Sequence, residues 1–234
     1  MNICLLTAYT DKIRWDDYGK CDYGDFASTN HLAYANIHGY SFYKQIVQDS
    51  NYTDRHPTWI KIDILRKILP LFDYVAWIDA DAVFTNNNIK IEEFIEEEID
   101  LVLPKAEVDI TTGNTWSYTS TGFMIWKNSQ WSIDILNKLW NEPNEYTFKF
   151  LHEQTRLDQL LFGYYCLPKA YNVLNKLPED IPSPLILGNI KILPYLYHRC
   201  FTHGEIKYIF HAGGSTPTKY KRIKEILEPK EIVN

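Results

Sequence analysis

Runs of almost purely apolar residues alternate with helical segments through the first half of this 234-residue chain. Residues 2–7, 41–46 and 74–78 are predicted strands, and residues 28–37 and 59–71 have the apolar spacing of helices. Strands that are apolar on both faces are normally buried between two helical layers. The alternation therefore predicts an α/β fold with a central mixed, mostly parallel sheet flanked by helices.

Helix ends, connections and shorter elements complete the predicted order of the chain. Ser28 is a candidate N-cap and Gly39 a candidate end for the first long helix, and residues 8–23 before it are predicted to form a loop. The Pro-rich stretch 177–194 predicts a long irregular connection. The remaining predictions are strands at 101–103, 123–126 and 207–210 and helices at 91–98, 130–140, 152–165 and 219–227. Since no repeat or linker divides the chain, we predict a single domain over residues 1–234.

Composition limits the classes of partner. The formal net charge of -6 argues against nucleic acid, because phosphate backbones favour proteins with a surplus of Lys and Arg. The 17 Tyr, 11 Phe and 7 Trp can pack a core, and flat rings can also line a sugar-binding cleft. Neither a basic signal sequence nor an apolar run long enough for an integral membrane segment is evident, which predicts a soluble, cytoplasmic protein.

The strongest chemical feature is an Asp-x-Asp pattern. The apolar strand at 74–78 runs directly into Asp79 and Asp81. Ligands of α/β sheets bind outside the carboxyl ends of the strands, and two carboxylates there could hold a hard divalent cation. The alternative is a turn in which both side chains cap neighbouring amides. Acidic residues within apolar sequence are costly to bury unpaired, which favours the metal site.

A second feature follows the predicted strand at 207–210. His211 could be a third metal ligand, Gly213 could let backbone amides approach phosphate, and Lys219 could add a positive charge. The alternative is a core histidine that precedes a turn.

Two further segments carry weaker signals. Gly122 stands at a strand start, where it permits either a close backbone approach to the donor sugar or acceptor, or a bulge. The predicted helix at 152–165 carries Glu153 and Asp158, which could contact sugar hydroxyls or act as a catalytic base on the acceptor. A solvated polar face explains the same residues equally simply.

In this order, these segments resemble the GT-A glycosyltransferases, above all family 34, the galactosyl-, mannosyl- and xylosyltransferase group of yeast and plants. A looser similarity extends to family 8. Further matching pieces are Asn30 with the Tyr-Ala-Asn-Ile-His-Gly-Tyr segment at 34–40, and Trp59-Ile60-Lys61. The resemblance covers roughly residues 1–220 and is strongest over 57–86 and 208–219.

The resemblance implies a Rossmann-like half, about residues 1–105, that binds a nucleotide-sugar donor, with residues 106–234 closing the metal and diphosphate site on the acceptor side. It implies Mn²⁺ or Mg²⁺ as the cofactor and a UDP-sugar as the donor. The implied metal ligands are Asp79, Asp81 and His211. The implied donor contacts are Thr7, Tyr9 and Asp11 near the base and ribose, Lys61 near phosphate or donor sugar, and Lys219 at the diphosphate, while Asp158 and Gln159 match a helical Asp-Gln pair.

The sequence therefore predicts an enzyme, a metal-dependent hexosyl- or pentosyltransferase that acts on a glycan or glycoprotein acceptor. Two alternatives stay open, a non-catalytic sugar-binding module and a sugar nucleotidyltransferase. The absence of a glycine-rich nucleotide loop near the N-terminus disfavours the nucleotidyltransferase.

Overall fold

The computed structural model describes residues 1–10, 22–48, 59–105, 119–141, 184–199, 206–213 and 216–228. In these ranges the strands are β1 (Ile3–Thr10), β2 (Ser41–Val47), β3 (Tyr74–Ile78), β4 (Ala82–Phe84), β5 (Leu101–Pro104), β6 (Phe123–Lys127), β7 (Leu185–Leu187), β8 (Ile190–Leu193), β9 (His198–Arg199) and β10 (Ile209–His211). The α-helices are α1 (Asp22–His38), α2 (Ile60–Ile68), α3 (Gln130–Asn141) and α4 (Thr216–Leu227). Short 3-10 helices lie at Leu69–Leu71, Ile91–Phe94 and Tyr195–Tyr197.

A mixed sheet forms the centre of the fold. Within the described ranges it has seven strands in the order β2-β1-β3-β6-β5-β8-β7, and a smaller sheet has the order β4-β10-β9. Strand β1 is parallel to β2 and β3, and β8 is parallel to β5. Strand β6 runs antiparallel to both β3 and β5, and β7 runs antiparallel to β8, so three of the six strand pairs described in this sheet are parallel and three are antiparallel. The predicted mixed sheet between helices is confirmed.

The central strands are buried on both faces, as their apolar runs predict. Alternate residues of a strand point to opposite faces. Cys4 and Leu6 of β1 belong to a core cluster with residues of α2 and α3, whereas Ile3 and Leu5 belong to a second cluster with Tyr34 of α1. The sheet is therefore packed between two layers.

The region before the first long helix differs from its prediction. Strand β1 continues to Thr10 because it pairs in parallel with β2 up to the Thr10–Val47 register, so the predicted loop at 8–23 begins too early. Helix α1 already includes Ser28, whose hydroxyl donates to the carbonyl of Asp25 inside the helix, so its N-cap assignment was wrong. Gly39 does follow the helix in the left-handed region, with φ of 73°.

The predicted irregular connection at 177–194 was wrong over residues 185–187 and 190–193, which form strands, and its residues 177–183 lie outside the described residues. Strand β8 pairs in parallel with β5, from Leu101–Ile190 to Pro104–Leu193, and β7 pairs with β8. Proline-based turn signals are local, whereas this pairing joins residues almost ninety positions apart.

Two predicted helices have other outcomes. The helix at 91–98 is reduced to the 3-10 turn Ile91–Phe94. The helix at 152–165 lies outside the described residues. Among the helices that are described, none combines the length and apolar character needed to cross a bilayer.

Candidate active site

The two aspartates lie in a tight turn where β3 ends. The amide of Ala82 at the start of β4 donates to the carbonyl of Asp79 over 3.0 Å, and the amide of Asp79 donates to the carbonyl of Gly122 over 2.8 Å. Because β3 is parallel to β1, this turn lies at the carboxyl edge shared by both strands. The location is the one expected for a ligand site in an α/β sheet.

His211 reaches the same turn from the other end of the chain. Strand β10 pairs antiparallel with β4, with His211 opposite Ala82, and the amide of Ala212 donates to the carbonyl of Asp81 over 2.7 Å. The Nε2 atom of His211 lies 2.9 Å from Oδ1 of Asp81 and 3.9 Å from Oδ2 of Asp79. One ligand atom from each of these three residues falls within 4.8 Å of the others.

Two lysines complete the charge balance of the acidic pair. The Nζ atom of Lys61 in α2 lies 3.1 Å from Oδ1 of Asp79. The Nζ atom of Lys219 in α4 lies 2.6 Å from Oδ2 of Asp81. The carboxylates thus face side chains from distant elements, an arrangement that differs from simple capping of their own turn.

The environment of Asp81 favours its ionised form. Burial by itself raises the pKa of a carboxyl, and the Asp81 side chain is only 13% exposed. The charges of His211 and Lys219, and the hydrogen bonds from both, outweigh that effect and lower the pKa of Asp81 well below its ordinary value. Asp81 is therefore a carboxylate throughout the neutral range.

Trp77 is a site residue that sequence reasoning missed. Its indole Nε1 donates to Oδ1 of Asp79 over 2.6 Å, and its ring is buried. The spacing of two residues along an extended chain places Trp77 and Asp79 on the same face, so a signal was available in the sequence. The bond fixes the orientation of the Asp79 carboxylate.

Gly122 lies under two imidazoles. A Cβ atom at this position would come within 2.6 Å of Nδ1 of His211 and 2.8 Å of Nε2 of His198. The rings of His198 and His211 are 5.0 Å apart and meet edge to face. From the sequence, Gly122 was explained by a close approach to the donor or by a bulge, and neither imidazole was predicted beside this glycine. No pattern in the sequence around His198 indicated the contact.

His198 is itself a buried, neutral group. Burial is the largest cause that lowers its pKa well below the usual value, followed by the charge of His211. Within the described part of the chain, neither ring nitrogen of His198 has a hydrogen-bond partner. The pair of imidazoles therefore depends on close packing around Gly122.

The predicted donor contacts have different outcomes. Thr7 is fully buried near the end of β1, and its hydroxyl has no partner among the described residues. The hydroxyl of Tyr9 donates to Asp25, and its ring packs on the core cluster that includes Ala80 between the two aspartates. The carbonyl of Gly213 accepts from Nη1 of Arg222 over 2.8 Å. Four predicted site residues, Asp11, Glu153, Asp158 and Gln159, lie outside the described residues.

The donor set suits a hard divalent cation. Two carboxylates and one imidazole supply oxygen and nitrogen atoms within coordinating range of one another. Carboxylate oxygens suit Mn²⁺ and Mg²⁺, and an imidazole nitrogen is a ligand typical of transition metals. Three protein ligands would leave further coordination positions for water or for other oxygen ligands, so the residues present fit a divalent cation.

The family of the chain follows from its sequence. The model of the family described as "Protein of unknown function, DUF273" matches residues 32–156, more than half of the chain. The chain belongs to the DUF273 family. The matched region includes the Asp79–Asp81 turn, whereas His211 and Lys219 lie beyond it.

Curated relatives with sequence similarity to this DUF273 chain are plant transferases. It is 29% identical to xyloglucan 6-xylosyltransferase 1 of Arabidopsis thaliana over 112 residues, 46% of this chain and 24% of that protein. It is 26% identical to xyloglucan 6-xylosyltransferase 2 of the same plant over 112 residues, with the same coverage. The match thus spans about a quarter of each relative's length.

Solved structures show that the fold is that of GT-A glycosyltransferases. A glycosyltransferase involved in glycosylation of the major capsid of PBCV-1 superposes over 96% of this chain and 100% of its own, with a TM-score of 0.65 and 16% identity. The galactosyltransferase LgtC covers 95% of this chain and 94% of its own, with a TM-score of 0.51 and 11% identity. Mouse xyloside xylosyltransferase 1 covers 93% of this chain and 99% of its own, also at 0.51, with 10% identity.

Proposed function

We propose that this chain is a metal-dependent glycosyltransferase that moves a sugar from a UDP-linked donor to a hydroxyl of a glycan or glycoprotein acceptor. The observation that carries the proposal is the meeting of Asp79, Asp81 and His211 at the carboxyl edge of the sheet. The likeness in fold to glycosyltransferases, and in sequence to plant xylosyltransferases, supports it.

Each side chain at the edge has a role in this proposal. Asp79, Asp81 and His211 hold Mn²⁺ or Mg²⁺, and the ion, when bound, neutralises the diphosphate so that the nucleotide can leave. Lys219 contacts the diphosphate, and Lys61 faces phosphate or the donor sugar. Trp77 and Lys61 keep the Asp79 carboxylate in one orientation through contacts of 2.6 Å and 3.1 Å.

The nucleoside of the donor and the acceptor are assigned to other residues of the chain. Thr7, Tyr9 and Asp11 lie beside the nucleoside in this proposal, and Gly122, Gln159 and Gly213 border the donor. Residues 106–234 form the acceptor side. If the reaction inverts the anomeric carbon, Asp158 or Glu153 removes the acceptor proton. If it retains configuration, the departing phosphate takes that proton.

The test is a panel of nucleotide sugars incubated with Mn²⁺, with release of the nucleotide as the readout. Asp79→Ala and Asp81→Ala are expected to abolish release, because each removes a carboxylate ligand. Asp134→Ala is the matched control, since Asp134 is exposed on α3 and accepts a hydrogen bond from Gln130. The control should release nucleotide at the wild-type rate.

The panel distinguishes the proposal from its alternatives. Mn²⁺-dependent release from one donor, lost in both site variants, would establish the transferase and identify its sugar. Glycan binding without any release would favour the sugar-binding module. Synthesis of a nucleotide sugar from a sugar phosphate would favour the nucleotidyltransferase. The Asp158→Ala and Glu153→Ala variants then show which acidic residue the reaction needs.

A further inference from the structure

The acidic pair is already neutralised by the chain itself. Lys61 contacts Asp79 at 3.1 Å, and Lys219 contacts Asp81 at 2.6 Å. Two negative and two positive side chains therefore share one small site. A bare divalent cation that entered would find its carboxylates compensated and two like charges nearby, which weakens its binding.

Each carboxylate oxygen of Asp81 already has a partner within the chain. Its Oδ1 lies 2.9 Å from Nε2 of His211, and its Oδ2 lies 2.6 Å from Nζ of Lys219. Contacts between an ammonium and a carboxylate at this distance are among the stronger hydrogen bonds of proteins. An ion that binds Asp81 must therefore compete with Lys219 for the carboxylate.

The two lysines differ in their exposure. Lys61 is nearly buried, and its Nζ also donates to the carbonyl and the hydroxyl of Thr121, each over 3.3 Å. The Lys219 side chain is 24% exposed, extends from the first turn of α4, and its Nζ also lies 5.6 Å from the centre of the Tyr23 ring. Since a lysine ends in a compact charge on a flexible stem, Lys219 can reorient while its backbone stays in place.

Helix α4 is linked to the residues that follow the strand carrying His211. Nη1 of Arg222 donates to the carbonyl of Gly213 over 2.8 Å, which links the helix to the residues just after β10. The ammonium of Lys219 therefore stays within reach of the metal ligands after it leaves Asp81. A negatively charged ligand at the metal would give it a new partner.

We propose that Lys219 acts as an internal counter-ion that makes the Asp79–Asp81–His211 site selective for a complex of a divalent cation with a diphosphate over the cation alone. This inference rests on the proposed function, because it assumes that the three residues bind the ion. When a diphosphate binds together with the cation, the ammonium of Lys219 can leave Asp81 and pair with the diphosphate. The cation then binds Asp81 without leaving the Lys219 charge unpaired. Lys219 is thus a specificity-determining residue for the form of the ligand.

The experiment measures two affinities in the full chain. In the first titration, Mn²⁺ alone is added to the protein and free Mn²⁺ is followed by its electron paramagnetic resonance signal. In the second, UDP is added to the protein at saturating Mn²⁺ and the heat of binding is measured by calorimetry. Lys219→Met should bind Mn²⁺ alone about tenfold more tightly and bind UDP with Mn²⁺ about tenfold more weakly, each change being equivalent to about 1.4 kcal/mol. The opposite signs of the two changes are the signature of an internal counter-ion.

Two further variants keep the measurement decisive. Lys221→Met removes a lysine of the same helix that is 76% exposed and 3.9 Å from Glu225, so both affinities should match wild type. Lys219→Arg keeps the positive charge and should bind Mn²⁺ alone as weakly as wild type. Should Lys219→Met fail to fold, Lys219→Gln replaces it with the same expected signs.

The outcomes separate this inference from the proposed function. If wild type binds UDP with Mn²⁺ but loss of the Lys219 charge leaves the affinity for Mn²⁺ alone unchanged or lower, the counter-ion role is overturned and the transferase proposal stands. If wild type binds neither Mn²⁺ nor UDP with Mn²⁺, the proposed function fails, and the inference fails with it.

Discussion

A methyl group at Gly122 is expected to disturb both the stability of the fold and the metal site. In Gly122→Ala, the added Cβ would lie 2.6 Å from Nδ1 and 2.7 Å from Cε1 of His211, and 2.8 Å from Nε2 of His198. All three distances are shorter than carbon atoms tolerate. Because Gly122 and His198 are buried, the His198 ring has no free solvent into which to move, and the His211 side chain is only 17% exposed.

The cost can be bounded from the contacts. Overpacking a well-packed interior by one methyl group costs about 1–3 kcal/mol, and 1 kcal/mol lowers the melting temperature of a chain of this size by about 2–4 °C. We therefore expect a decrease of about 6 °C for a cost of about 2 kcal/mol. Displacement of the His211 ring should also weaken Mn²⁺ binding in the presence of UDP by at least about tenfold.

Differential scanning calorimetry measures the first effect and calorimetric titration of UDP with Mn²⁺ measures the second. Gly213→Ala is the matched control for the melting temperature, since its Cβ would meet only Nη1 of Arg222 at an ordinary 3.8 Å among the described residues. The melting temperature of this control should stay near that of the wild type. If Gly122→Ala melts like Gly213→Ala and binds UDP with Mn²⁺ like the wild type, the steric reasoning around the two imidazoles is wrong.

Two further predictions concern groups that support the site. Burial lowers the pKa of His31 to about 4, and its Nε2 donates to the carbonyl of Ala82. The imidazole of His31 takes up a proton near pH 6.5 in the unfolded chain and only near pH 4 in the native chain. His31 should therefore lower the free energy of unfolding by about 3 kcal/mol as the pH drops from 6.5 to 4. Urea unfolding of His31→Gln should show a correspondingly shallower pH dependence, and equal slopes would contradict the assignment. Trp77→Phe removes the indole that donates to Asp79, and a double-mutant cycle with Asp79→Ala should give a coupling of about 1.5–3 kcal/mol; a coupling near zero would mean that the bond contributes nothing.

The central strands and the position of the acidic pair could be predicted from the sequence. Purely apolar runs such as 74–78 must be buried on both faces, and this requirement is local to the run itself. The position of Asp79 and Asp81 directly after such a run places them at the carboxyl edge of the sheet. The structure places Lys61 3.1 Å from Asp79 and His211 2.9 Å from Asp81 at that edge, while their roles as a donor contact and a metal ligand stay predictions.

Other features depend on partners far away in the chain. Strand β8 exists because it pairs with β5, and the Pro-rich sequence before it suggested an irregular connection. The position of His198 beside His211 follows from the parallel pairing of β9 with β10. Local sequence patterns do not determine which strands pair with each other, so these contacts could not be predicted from the sequence.

The same division applies to the charges of the site. The sequence determined that two carboxylates, a histidine and two lysines were present, and its apolar strands determined the edge at which the carboxylates lie. Only the tertiary structure decided that Lys219 would cover Asp81 at 2.6 Å and that Gly122 would lie under two imidazoles. The physical reason is that ion pairing and steric contact act over a few ångströms, and folding alone brings residues that are far apart in the chain, such as Asp81 and Lys219, to that distance.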